Sequence, residues 1–185
     1  MATPIGHTLA GYLGYQLMPS PKHSLSQVRL WGAIALANLP DLDFLPGLLM
    51  GNAFAFHRRG SHTIIAALLV GSLVALSLRL ARRWGTQVPK FSNVSLWQWG
   101  VWATAVYLGH LCLDFLMADR IPPYGLQLLW PFSDVFFIAP IALIPGFNFE
   151  AIVSWHNLAV VGIEIVWLVP MIWLAGAIAT QSGKS

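Results

Sequence analysis

The chain has 185 residues, 57% of them hydrophobic and only 9% charged, with a mean hydropathy of +0.66. Soluble domains carry about 25% charged residues, so an ordinary soluble domain is excluded and a membrane protein indicated. The net charge of +3 and pI near 9.4 come from ten basic residues spread along the chain, which fits membrane orientation signals better than a nucleic-acid footprint. The single cysteine, Cys112, excludes an internal disulfide framework and a cysteine-based zinc site.

The N-terminus, MATPIGHTLAGYLGY, has no basic stretch or clear cleavage site and does not read as a signal peptide. No repeat or linker divides the chain, so residues 1–185 are expected to form one membrane-embedded domain. Short helices are predicted over about 7–18, where His7 opens the first, and about 27–38; neither is long enough to span comfortably. The loop ANLPDLDF (37–44) is stopped by Pro40. In an extended loop Asp41 and Asp43 point the same way and can present two carboxylates to one cation; alternatively Asp41 closes a turn.

In FHRRGSHTI (56–64) Gly60 and Ser61 read as a break and an N-cap, which puts His62 in the first turn of the next helix. There the helix dipole favours a neutral imidazole and the free N–H groups favour an anion. Arg58 and Arg59 offer forks for a phosphate or extend to lipid head groups. His57 is a candidate substrate-binding residue, or one that supports the ligands from behind.

Residues 63–83 read as a membrane helix ending in Arg79, Arg82 and Arg83. Residues 96–117 open on three tryptophans suited to an interfacial belt and close on GHLCLDF. His110 and Asp114 lie about one turn apart and share a helix face, while Cys112 points away. At membrane depth such a pair needs protein, water or a cation to meet it; the bland alternative is a buried ion pair that tightens the bundle. In PPYGLQLLWPFSD (122–134), Tyr124, Trp130 and Ser133 form either a lip to the site or an interfacial anchor, and Asp134 is the one obvious donor. The run 134–147, broken by Pro140 and Pro145, reads as re-entrant, interfacial or a tight helical pair. Residues 158–179 form a second long apolar helix carrying Glu164 and a kink at Pro170; Glu164 supports a ligand or simply faces another helix.

With Lys22, Arg29, the Arg79–Lys90 cluster and Lys184 placed in the cytoplasm, the helices alternate. His7, Asp41, Asp43, His57, His62, Asp114 and His156 then gather on the non-cytoplasmic side, and His23 falls on the other. The expected fold class is all-α: a polytopic membrane helical bundle with a metal site near one membrane face. Histidine and carboxylate donors without thiolate suit Zn²⁺, with Mn²⁺, Fe²⁺ or Co²⁺ as alternatives, and disfavour Cu(I).

GHTLAGY, LPDLDF, HRRGSHT, GHLCLDF and PPYGLQLLWPFSD, in this order over roughly residues 5–134, resemble the YdjM-type family of bacterial inner-membrane metal-dependent hydrolases. That family is similar, more distantly, to zinc-dependent phospholipase C and the related single-strand nucleases. The resemblance implies that Asp41 or Asp43, His62, His110 and Asp114 hold one metal, and that Asp114 bridges to a second shared with His7. His156 lacks the carboxylate that those soluble enzymes carry four residues after a late histidine, so a three-metal site is not expected.

The function expected is that of a membrane-bound hydrolase acting on phosphoesters, lipid-linked ones included, with one or two divalent ions, Zn²⁺ or Mn²⁺, activating water. Asp41 or Asp43 orients that water or takes its proton, and Arg58, Arg59 and His57 bind substrate. The expected partners are membrane lipids and a phosphate-containing or lipid substrate, not nucleic acid. A metal-binding or ion-translocating protein without hydrolysis, and a scaffold with a buried polar network, are the rival readings.

Overall fold

The computed structural model describes residues 1–18, 26–84 and 95–182. Its helices are α1 (Pro4–Gln16), α2 (Ser26–Asn38), α3 (Phe44–Leu49), α4 (Ile64–Arg83), α5 (Leu96–Phe115) and α6 (Trp155–Ser182). Short 3-10 turns, Leu39–Asp43 and Gly60–His62, lead into α3 and towards α4. No strand is present among the described residues, although two isolated bridges occur, Met117 with Ile144 and Leu126 with Phe137. Lys22, His23, Lys90 and Lys184 lie outside the described residues.

Local chemistry sets the helix starts. Thr3 caps α1 by accepting from the Gly6 amide at 3.1 Å, with Pro4 at the first helical position. Thr63 caps α4 by accepting from the Ala66 amide at 3.0 Å, and Ser95 with Gln98 forms a capping box on α5. His62 therefore precedes the cap of α4 and does not occupy its first turn. The first-turn dipole cannot act on it as the sequence suggested.

α5 is the central helix, packed against α4, α1 and α2, while α6 packs on α1. α4 and α6 are long and apolar enough to cross a membrane, and only 11% and 22% of those spans are buried. A soluble core helix would be mostly buried. Here Leu68, Leu69, Leu73 and Leu76 on α4 are all exposed, the arrangement expected of a lipid-facing helix. α5 supplies much of the core, with Ala103, Val106, Tyr107 and Leu111 buried.

The run 134–147 forms no helix, unlike any tight helical pair. It lies in an irregular segment that folds back on the end of α5. Leu126 and Phe137 exchange backbone hydrogen bonds at 3.0 and 2.9 Å, and the Ala118 amide donates to the Ile144 carbonyl at 2.8 Å. Pro140 and Pro145 remove donors and prevent a continuous helix there.

Candidate metal centre

α1 begins, α2 ends, α4 begins and α5 ends at one place. His7 lies one turn into α1, Asp41 and Asp43 in the turn after α2, His57 and His62 in the loop before α4, and His110 and Asp114 in the last turns of α5. Arg29, at the start of α2, and Arg79, Arg82 and Arg83, near the end of α4, lie at the opposite ends of those helices.

The donor atoms form two groups that share both carboxylates. His7, Asp41, His110 and Asp114 make one; Asp41, His57, His62 and Asp114 make the other, with the offered atoms of each group all within 4.8 Å of one another. His7 Nε2 is 3.4 Å from Asp114 Oδ1, His62 Nε2 is 3.5 Å from Asp114 Oδ2, and His110 Nε2 is 3.5 Å from Asp41 Oδ1. These separations exceed good hydrogen-bond lengths. They match the edge of a tetrahedron of donors, about 3.4 Å for donors about 2.1 Å from a zinc ion.

The protonation pattern points the same way. His110 Nδ1 lies 2.7 Å from the Ala37 carbonyl, which can only accept, so this nitrogen carries the proton and Nε2 presents a lone pair. His62 Nδ1 faces Asp43 Oδ2 at 3.0 Å and is likewise the donor. The two Nε2 atoms then confront one another at 3.2 Å, an arrangement that a shared cation or proton relieves. His7 stacks on His110 with ring centroids 3.7 Å apart. Both of its nitrogens, together with Asp41 Oδ1, His57 Nε2 and Asp114 Oδ2, are buried without a hydrogen-bond partner. Buried polar atoms are rarely left so, and five of them in one cluster fit a divalent metal site.

Asp43 differs from its sequence expectation because residues 39–43 form a 3-10 turn rather than an extended loop. At three residues per turn, positions two apart no longer share a side. Asp41 faces the donors; Asp43 stands behind the histidines, 2.9 Å from His57 Nδ1, 3.0 Å from His62 Nδ1, and accepting from the Ser61 hydroxyl at 2.6 Å. Burial alone would raise the Asp43 carboxyl, but hydrogen bonds from His57 and His62 outweigh it and hold the group well below the usual carboxylate range. Asp43 thus orients two imidazoles at once, and His57 takes a place in a donor group. Asp43→Asn offers one acceptor where two are needed and turns an N–H₂ towards an imidazole N–H. Metal affinity, read by chelator competition, is expected to fall by about 10–100-fold without loss of fold.

The two arginines separate. Arg58 is buried in the left-handed region (φ 66°), paired with Asp119 at 2.6 Å and donating to the Ile121 and Pro123 carbonyls. It ties the site loop to the irregular segment, so its charge is already engaged. Arg59 is exposed. His156 Nε2 lies 2.8 Å from the Gly146 carbonyl, outside both donor groups. Cys112 and Asp134 are exposed.

Glu164 carries a role the sequence did not specify. It is fully buried on α6 and accepts from the Thr3 amide at 2.7 Å and from the Thr3 hydroxyl. The next amide back, Ala2, donates to Asp114 Oδ1 at 2.6 Å. The N-terminal segment is therefore clamped between α5 and α6, and α1 enters with His7 in the cluster. The signal available in the sequence was a lone acid in an apolar helix; its partner, 161 residues away, was not readable.

The model of the YdjM inner membrane protein family matches residues 1–183. The chain belongs to the YdjM family. A relative, the inner membrane protein YbcI of Escherichia coli (strain K12), is 29% identical over 152 residues, covering 80% of this chain and 78% of the relative. No solved structure matches. In this YdjM-family protein α4 and α6 supply the candidate membrane crossings.

Proposed function

We propose that this YdjM-family protein is a multi-pass, membrane-bound, metal-dependent hydrolase of phosphoesters, with its metal centre at the non-cytoplasmic ends of its helices. The supporting observation is the convergence of unpartnered histidine and carboxylate atoms into two groups that share Asp41 and Asp114. This suits a pair of divalent ions, Zn²⁺ or Mn²⁺. Such ions supply a Lewis acid for a phosphoryl oxygen and make water acidic enough to yield hydroxide near neutral pH.

Asp41 is the most exposed of the shared donors, at 15% for its side chain against 1% for Asp114. With one oxygen left free by the ions, it would be the carboxylate that accepts a proton from an entering water. Asp43, through His57 and His62, holds the donor geometry, and Arg59, exposed in the loop between those two histidines, offers its guanidinium to a phosphate.

Proton and metal compete for the same nitrogen. Burial alone would strip the proton from His62, but Asp114, Asp41 and Asp43 outweigh burial and raise its pKa well above the ordinary histidine value. Without a cation His62 holds a proton through neutral pH, and metal must displace it. Apparent metal affinity is expected to rise with pH, by about tenfold per unit for one proton released, as titration calorimetry in buffers of different ionisation enthalpy would show.

The testing experiment is elemental mass spectrometry of detergent-purified protein beside His110→Ala, followed by a phosphomonoester and phosphodiester panel on metal-loaded protein. Near-stoichiometric metal lost in the variant, together with turnover of a phosphoester, supports the hydrolase. A second reading is favoured by the little space beside His57, a crevice of about 10 Å³ lined also by Phe54, Arg58, Pro123 and Phe149. Metal present with no turnover across the panel would favour a metal-binding or ion-translocating protein.

A further inference from the structure

A second cavity lies between α1, α5 and α6, on the side of α5 away from His110. Its volume is about 450 Å³, and its walls include Gly14, Val106, Gly109, Leu113 and Leu168. That size falls in the range of ligand sites, about 300–1,000 Å³. Protein interiors hold few voids larger than a water molecule, and an apolar cavity does not hold water well. A space with these walls suits an apolar occupant better than water.

The wall and the rim differ. Val106, Leu168 and Ile144 in the wall are buried, whereas Leu17, Trp167 and Met171 at the rim are each more than half exposed. Trp167 and Met171 belong to α6, one of the two helices able to cross the membrane, so the cavity opens sideways towards lipid. The indole N–H of Trp102, a polar group in the wall, is already satisfied by the Gly14 carbonyl at 2.9 Å. From Trp102 to Leu116 the cavity follows α5 for roughly 21 Å, at about 1.5 Å per residue. One leaflet of hydrocarbon is about 15 Å deep. A long, dry, laterally open groove of that length suits an extended hydrocarbon chain.

We propose that this groove binds one acyl chain of a bilayer phospholipid. The chain lies along α5, and its headgroup is at the Leu116 and Ile144 end, the end of the helix that bears Asp114. Chain binding stands independently of hydrolysis. Only the further step, that the bound lipid presents its phosphate to the metal centre, rests on the phosphoesterase reading.

Gly109 provides the test. A Cβ built there meets nothing within 4 Å, so a large side chain enters the cavity without striking backbone. Gly162, also free of neighbours within 4 Å, lies on the exposed side of α6 and is absent from the lining. Wild type, Gly109→Phe and Gly162→Phe are purified from membranes, and phospholipid retained per chain is counted by native mass spectrometry, with metal content measured alongside. Wild type and Gly162→Phe are expected to retain one phospholipid per chain. Gly109→Phe should retain at least fivefold less at unchanged metal content. Equal retention in Gly109→Phe, no retention in wild type, or retention of a free fatty acid or detergent in its place would overturn the proposal. Should Gly109→Phe lose metal or fold, Ala105→Phe, another lining position that is exposed in the groove, decides by the same criteria. Loss of lipid with metal and phosphoesterase turnover intact separates this site from the metal centre.

Discussion

Asp114→Asn is expected to empty both halves of the metal centre. Asp114 belongs to each donor group, is almost fully buried, and has one oxygen without a hydrogen-bond partner. The amide keeps the shape but removes the charge that balances a cation, and it places a poor ligand between His7 and His62. Metal content by elemental mass spectrometry should fall at least tenfold. Stability should respond as well, because binding to the native state alone stabilises by about 4 kcal/mol when free metal is 1,000 times its Kd. For a chain of this size each kcal/mol shifts Tm by about 2–4 °C. Chelation should thus lower the wild-type Tm by on the order of 10 °C and leave Asp114→Asn nearly unmoved. An equal effect of chelator on both proteins would count against the metal centre.

Gly71→Leu is expected to have the largest effect on the fold. α4 and α5 cross where a Cβ on Gly71 would lie 2.5 Å from the Gly100 carbonyl oxygen and closer still to the Thr104 hydroxyl. Backbone at that distance cannot give way as a flexible side chain can. Small residues at a membrane helix crossing let the backbones approach, and overpacking a tight contact costs about 1–3 kcal/mol or more. The crossing also sets the spacing of the centre, since α4 follows His62 and α5 carries His110 and Asp114. Gly71→Leu should therefore lose folded protein and metal together, seen as a broadened size-exclusion profile and an early thermal transition. Asp114→Asn should lose metal with the fold intact. Gly162→Leu, with open space around it, serves as the tolerated comparison.

Much of this arrangement was legible because helical period and membrane length are strong signals. The spacing of His110 and Asp114 placed them on one face, and the long apolar runs located α4 and α6 to within a few residues. Alternation of the helices brought His7, Asp41, His62 and Asp114 to one end. Features set by local backbone geometry or distant contact were less legible. A 3-10 turn, hard to distinguish from a loop by pattern, carried Asp43 behind His57 and His62 and left Asp41 facing the cluster. The left-handed backbone at Arg58 turned its guanidinium into an ion pair with Asp119. His57 read as a substrate residue or a support for the ligands, because nothing in HRRGSH announces that Asp43 lies against its ring.

The contact between Thr3 and Glu164 has a consequence for the order in which the protein is made. Thr3 caps the helix that carries His7, and its own anchor emerges 161 residues later. At about 5–20 residues per second, the ribosome needs roughly 10–30 s to deliver that anchor. The other candidate donors, Asp41 to Asp114, are synthesised within this interval. The latch on α6 thus acts as a timer: the segment that brings His7 to the other candidate donors gains its anchor only after Glu164 has been made.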